Sequence, residues 1–365
     1  MTTGSSLQVA PQSRGTAAEE SRRWARESLA GAHLTRTRMV VTLSGLSALT
    51  IVVLIAAIAF GSVHINLVRA FREASGPDHA LLFGARLPRV LMGAAVGAAL
   101  AVVGAALQAL VRNPLAEGGI LGISGGGAFG AILALVLFSR ASAGDLLVPV
   151  CAFAASLIAT LAVYRLAQVE GRLEPFTLLL VGVIFNAFWG AAIMLLNSVV
   201  NFYFTHSILF WLMGSFEAPT WQEMAVMAVA AIGGSAALLG WARDMNLLSL
   251  GDEEAMELGA DLGHVRRAIF IVTSIMIGAA VSVSGIISFV GLIVPHLLRM
   301  ALGADHRLLL PASFIAGAAF TAGADLIARV AIAPAELPVG AITALCGGPF
   351  FIYVLRREGR KSLAL

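Results

Sequence analysis

Charged residues are scarce in this chain. They make up 12% of its 365 residues, against 59% hydrophobic, where a soluble domain carries about 25% charge. The shortage excludes a water-soluble globule of this length, which would lack the polar surface to cover itself. Lysine is almost missing: Lys361 stands alone, and the other cationic side chains, histidine aside, are arginine. Cysteine is limited to Cys151 and Cys346, far apart in apolar runs. Neither a disulfide framework nor a cysteine-based metal site is indicated. No GK[ST] follows a glycine-rich stretch, the seven histidines do not cluster, and no paired nucleophile and base lies within the apolar runs. The expectation is a chain with no catalytic residues, no cofactor or metal of its own and no nucleic-acid partner.

What is plentiful is apolar length. The runs are about 20 residues long, rich in Ala, Leu, Val and Gly, and do not alternate with period two. That predicts an all-α polytopic membrane protein rather than a barrel, because in lipid the backbone must satisfy its own hydrogen bonds. Ten spans can be marked, at about 40–62, 88–110, 118–138, 146–166, 176–197, 222–241, 267–285, 287–302, 308–330 and 338–356. The eighth is short and rests on reading Ser284-Gly285 as a reversal. An even count puts both termini on one side, and arginine bias makes that side cytoplasmic. Arg112, Arg165, Arg172, Arg243, Arg266, Arg267, Arg299, Arg307 and the cations from Arg356 to Lys361 then lie inside. Only Arg69, Arg72, Arg86, Arg89, Arg140 and Arg329 lie outside. The second to fifth spans start outside and the seventh to tenth inside, the pattern of an inverted repeat.

Residues 1–39 read as a cytoplasmic tail, disordered to about Gly15 and helical from Ala17 to Ala30, with Glu19 and Arg23 four apart. A twin-arginine signal at Ser21-Arg22-Arg23 is rejected, because more arginines follow instead of an apolar region. The ten-span membrane body is 40–357, and 358–365 is a second cytoplasmic tail. The stretch Gly122-Ile123-Ser124-Gly125-Gly126-Gly127 reads as close helix packing rather than a phosphate cradle. His296 and His306, flanking Arg299 and Arg307, read as capping or headgroup contacts. Asp325 is the one acid well inside a span. A pair with Arg329 one turn on is favoured over a proton or substrate relay, which needs more than one acid.

The longest cytoplasmic connection is WARDMNLLSLGDEEAMELGADLGHVRR, Trp241 to Arg267. Asp252, Glu253 and Glu254 after Gly251 suit the positive end of a short helix. Gly259 ends that stretch and Asp261 caps the next. Apolar Leu247, Leu248, Leu250, Met256 and Leu258 between the charges suit a protrusion that docks a soluble partner. The loop from Ser198 to Trp221 carries no cation; its Asn201, Tyr203, Thr205 and His206 read as a plain polar outer loop.

RLPR, GAALQ and RNPLAEGGILGISGG, followed by SGIISFVGLIVPHLLR, ADHRLLLPAS, AELPVG and GGPFF, run in one order over about residues 45–357. In this the chain resembles the FecCD family, the permeases of type II ABC importers for ferric siderophores, haem and vitamin B12. The resemblance implies a multi-pass protein of the bacterial inner membrane and a homodimer of ten-helix subunits around a central pathway. Two ATPase subunits, which use the ATP, dock below, and a periplasmic or lipid-anchored substrate-binding protein docks above. By the same resemblance Arg86, Arg89 and Arg329 anchor the binding protein. Leu250, Gly251, Asp252, Glu253, Glu254, Leu258, Gly259 and Asp261 form the coupling element within 242–266. Asn113 and Leu115, facing the elbow between Gly171 and Thr177, form the cytoplasmic gate, with Pro114 fixing the turn. The alternative is a proton-driven secondary transporter with Asp325 as relay. Which chelate is carried is not written in these residues.

Overall fold

The computed structural model describes residues 35–138, 144–200, 202–216 and 219–362. The tail helix expected from Ala17 to Ala30, the Glu19–Arg23 pair, Arg140 and Asn201 lie outside them. The chain forms helices α1 (Arg36–Ala59), α2 (Leu67–Arg72) and α3 (Pro77–Leu81), then a π-turn (Leu82–Arg86) that runs into α4 (Leu87–Leu110). After a 3₁₀ turn (Gly118–Leu121) come α5 (Ile123–Phe138), α6 (Gly144–Leu166), a small hairpin of β1 (Gln168–Val169) and β2 (Arg172–Leu173), and α7 (Pro175–Val199). The second half has α8 (Phe202–Met213), α9 (Trp221–Gly240), α10 (Ala242–Leu248), α11 (Asp252–Glu257), α12 (Leu262–Ser284), α13 (Val290–Leu302), α14 (His306–Val330) and α15 (Val339–Ser362).

Local chemistry sets the helix starts. Thr35 accepts a hydrogen bond from the Arg38 backbone N–H, and Thr220 and Glu223 form a reciprocal capping box at α9. Asp261 accepts from the His264 N–H and opens α12, as its position after Gly259 predicts. Glu174 accepts from Phe176 and Thr177 and opens α7 behind the hairpin.

Among the described residues seven helical stretches are long and apolar enough to cross a bilayer: α1, Pro77–Leu110, Leu146–Leu166, α7, α9, α12 and α14. Three shorter apolar helices, α5, α13 and Val339–Ile352 of α15, fall on the remaining marked spans. The short ones have a reason. From the end of α4 the chain does not restart at the surface; Gly118 packs against Ile277 and Val103, about two turns back up α4. The elbow is therefore re-entrant, and α5 begins at Ile123 rather than 118. The α12–α13 reversal is likewise longer than Ser284-Gly285. It runs to Phe289, with Gly285 at φ 67° and Phe289 at φ 68°. The stretch expected as a polar outer loop after Ser198 contains α8, whose apolar sequence FYFTHSILFWLM packs Ile208 against Ile132 and Ala128 of α5.

α4 is the central post. Of the most apolar part of Pro77–Leu110, the stretch that holds α4, 83% is buried within the chain, against 11% for α1 and 17% for α9. Glycines let its neighbours approach. A Cβ on Gly104 would stand 1.8 Å from the Gly291 carbonyl oxygen of α13, and one on Gly97 2.3 Å from the Gly317 carbonyl oxygen of α14. Backbone contact of this kind replaces the hydrophobic driving force that lipid cannot supply. Gly126 and Gly127 similarly abut Ala159 and Ser156 of α6, so the glycine run packs helices.

Arg38 near the start of α1 donates to the Leu302 carbonyl at the end of α13, which sets α1's first turn beside the elbow end. The last turn of α1 meets Arg86 and Arg329 at the opposite end.

Candidate functional site

Two clusters of charge and one cavity stand out, distributed from end to end of the bundle. At the far end of α1 lie Arg86, Arg89 and Arg329. A helix leaves its last carbonyls unpaired, and in lipid that is costly. Arg86 Nη1 donates to the Ile58 and Ala59 carbonyls at 3.1 and 3.2 Å, and Nη2 to Val63 at 2.5 Å. Arg329 Nη2 and Nη1 donate to Ala57 and Phe60 at 2.9 and 3.1 Å. The two guanidiniums close the end of α1, and Gly61 leaves room for both. Asp325, fully buried, accepts from Arg329 Nε at 2.8 Å and Arg89 Nε at 2.9 Å. Glu336 takes Arg89 Nη1 at 2.6 Å and Ser62 at 3.1 Å. Three cations face two anions, and all three arginines line a cavity of about 160 Å³ that Glu336 and Ser62 also border. The Arg329 partner expected for Asp325 is present; Arg89 and Glu336 are additions that lie too far away in sequence for spacing to suggest.

At the other end, the elbow and the protrusion are tied together. Asp252 Oδ1, at the start of α11, receives Arg112 Nη2 at 3.1 Å and Arg266 Nη2 at 2.6 Å. Arg112 sits in the left-handed region at φ 49°, and Asn113 Oδ1 accepts from the Leu115 N–H at 2.9 Å, an Asx turn that fixes the NPLA bend. Leu115 is exposed. Among the described residues no hydrogen bond or ion pair joins Asn113 or Leu115 to the Gly171–Thr177 segment. On α11 Glu253, Glu254, Met256 and Glu257 are exposed, as are Leu258 and Asp261, while Leu250 and Gly251 tuck in behind. Gly251 at φ 129° and Gly259 at φ 86° bend the chain at the two ends of the protrusion.

Two acids outside the spans are held ionised. Burial works against Asp305, but the Arg307 guanidinium, Asn246 and the Arg307 N–H outweigh it and hold the carboxyl at about 2. Slight burial also opposes ionisation of Glu174. The Thr177 and Phe176 N–H groups and the field of Arg266 keep it below the usual range. His296 and His306 are both buried, which overturns the headgroup reading; His306 is packed against Asn246 instead. No group of three or more metal-ligating side chains gathers among the described residues.

Between the two ends lies a large cavity of about 670 Å³. Its wall is formed by α7 and α8 with the re-entrant turns, and is apolar apart from Glu117, Ser124, Asn186, Asn197 and Ser288. The Glu117 carboxylate accepts from the Phe289 N–H at 2.9 Å, pinning the elbow to the α12–α13 reversal. Asn186 likewise holds the Gly119 and Ile120 carbonyls at 2.8 and 3.0 Å. Neither Glu117 nor Asn186 was among the residues singled out by sequence. Glu117 stood inside the quoted elbow, and its acid in an apolar run was the available signal.

The sequence profile of the FecCD transport family matches residues 49–357. A cobalamin import system permease protein of Halobacterium salinarum is 44% identical over 284 residues, covering 76% of this chain and 74% of its own length. A hemin transport system permease protein of Yersinia pestis is 42% identical over 277 residues, covering 75% and 82%. A vitamin B12 import system permease protein of Escherichia coli is 40% identical over 279 residues, covering 75% and 83%. An inward-facing structure of an ABC transporter assigned to the metal-chelate type superposes with a TM-score of 0.76 at 31% identity, covering 87% of this chain and 99% of that one.

Proposed function

The chain belongs to the FecCD transport family, and from that premise we propose that it imports a metal chelate driven by ATP hydrolysis on separate subunits. It is a multi-pass protein of the bacterial inner membrane and a non-catalytic permease of an ABC importer, of the class that takes up vitamin B12, haem or metal chelates. Ferric siderophore, haem and cobalamin are equally served by a wide apolar pathway. A tight polar site would hold a bulky chelate rather than release it, and the 670 Å³ cavity is poor in such groups.

The observation that carries the ATP-driven reading is the link from Asp252 to Arg112. One end of it is a protrusion with exposed Met256 and Leu258 among acids, a surface suited to an ATPase cleft. The other is the elbow bearing Asn113 and Leu115, the proposed cytoplasmic gate. Push on Leu250–Asp261 and the ion pair transmits it to the gate. Two copies of this chain would then enclose one pathway, with the ATPase pair below.

Arg86, Arg89 and Arg329 are the proposed anchor for the substrate-binding protein. Their internal partners supply two negative charges for three positive ones, so an acidic side chain entering the 160 Å³ cavity balances the cluster. Charge reversal at Arg89 should abolish docking in a pull-down while ATPase assembly survives.

The full test is reconstitution. The chain alone in vesicles should move nothing uphill; with ATPase and binding protein it should accumulate chelate on ATP. Uptake that survives without any ATPase subunit but collapses with the proton gradient would overturn the reading in favour of a proton-driven carrier using Asp325.

A further inference from the structure

Near the elbow end, apart from the apolar cavity, a cavity of about 150 Å³ lies where α4, α13, α14 and the Ser249–Gly251 turn meet. Its lining is unusual for its unspent hydrogen-bonding groups. Arg299 Nε and Nη2 are buried with no hydrogen-bond partner, and so are His306 Nε2 and Gln108 Oε1. His306 and Gln108 are each 98% buried, at 2% exposure. A buried guanidinium without a counter-charge is costly, as are buried donors and acceptors left unmade. The nearby carboxylates are engaged elsewhere. Asp252 holds Arg112 and Arg266, and Asp305 holds Arg307 and Asn246.

The four orphans differ in sign, and that narrows the ligand. Asn246 Nδ2 donates to Asp305, so its Oδ1 is the atom facing His306. That oxygen can only accept, so His306 Nδ1, 2.8 Å away, carries the ring proton. In neutral His306 the free Nε2 is then an acceptor, like Gln108 Oε1. The cavity thus offers a charged two-pronged donor and two acceptors. Sulfate has no proton for the acceptors, and neither does a phosphodiester. Dihydrogen phosphate satisfies both sets, with oxyanion on Arg299 and its two hydroxyls on His306 and Gln108; the monoanion of a phosphomonoester carries one P–OH and satisfies Arg299 and one of the two acceptors. The volume holds about five waters at about 30 Å³ each, ample for one such group.

We propose that this cavity binds a protonated phosphate group, as inorganic phosphate or the phosphomonoester head of a lipid, with Arg299 as its anchor. The site does not depend on the transport reading. Bound phosphate would brace the turn at Leu250–Gly251 against the ends of α13 and α14, immediately behind the protrusion.

The test is equilibrium dialysis of radiolabelled orthophosphate at neutral pH with the full chain in detergent. Saturable binding is expected, resisting competition by sulfate and weakened at least about tenfold in Arg299→Gln, the loss of a charge-assisted pair. Thermal unfolding gives a second reading on the native chain, whose midpoint should rise with phosphate and not with sulfate. Phosphatidic acid that displaces orthophosphate, where phosphatidylglycerol does not, identifies the lipid as the source. Failure of both lipids to displace it identifies free phosphate. No saturable binding, equal competition by sulfate, or full binding by Arg299→Gln overturns the proposal. So does binding that appears only when an ATPase subunit is added, which points to phosphate held by that subunit instead.

Discussion

Asp252 at the head of α11 holds Arg112 of the elbow at 3.1 Å, across 140 residues of sequence. The same oxygen holds Arg266 at 2.6 Å. One carboxylate thus fixes three pieces of chain that must move together if a soluble partner is to work a gate. It is about a third exposed, so the ion pairs add little to stability, on the order of 1 kcal/mol or less.

Asp252→Asn should therefore separate coupling from folding. Reconstituted with its partners, the variant should keep its thermal midpoint within a few degrees while ATP-driven uptake falls by at least about tenfold relative to ATP hydrolysis. Uptake that stays in step with hydrolysis would show that the link is ornamental.

Asp325 tests the outer arginines. It is fully buried and accepts from both Arg89 and Arg329. Removing its charge leaves two guanidiniums short of a partner in a dry setting. Breaking a buried pair costs about 3–5 kcal/mol, so Asp325→Asn should lose several degrees of thermal midpoint in detergent. If the midpoint is unchanged, the cluster is wetter than its burial indicates.

How far this was legible beforehand follows from the range of the forces. The spans, the protrusion with its glycine bends and the Asp261 cap depend on near neighbours, and apolar runs and spacing display them. The Asp325–Arg329 pair is four residues apart and was legible for that reason. The elbow's climb to Val103, the Glu117–Phe289 bond and the Arg89–Glu336 pair are fixed by packing between distant helices. No local pattern encodes those meetings. The α8 helix was misread because a few polar residues at its start outweighed the run SILFWLM that follows.

The central post gives a packing prediction. Gly104→Ala puts a methyl 1.8 Å from the Gly291 carbonyl oxygen, and backbone cannot rotate aside. The destabilisation should reach or exceed the about 1–3 kcal/mol usual for overpacking, visible as a lowered midpoint and poor recovery from membranes. Gly45→Ala in α1, with open space around its Cβ position, is the control and should be neutral. Equal behaviour of the two would refute close contact between α4 and α13.

Acid should act through Asp305. Its folded pKa, about 2, lies below the ordinary carboxylate value of about 3.9. The unfolded chain therefore binds its proton first as pH falls, and the folded state loses relative stability on the way down. The contribution is fully present above about pH 4 and is lost progressively as pH falls from there through about 2. Asparagine still caps a helix but has no charge to offer Arg307, so Asp305→Asn isolates the ionisation from the cap. Thermal midpoints measured in detergent between pH 5 and pH 2 should converge for native chain and variant as the acid end is approached, the native chain being the more stable at pH 5. A constant gap across that range would mean that Arg307 and Asn246 do not hold the carboxylate in solution. The geometry of their contacts, at 2.6 and 2.9 Å, would then need another cause.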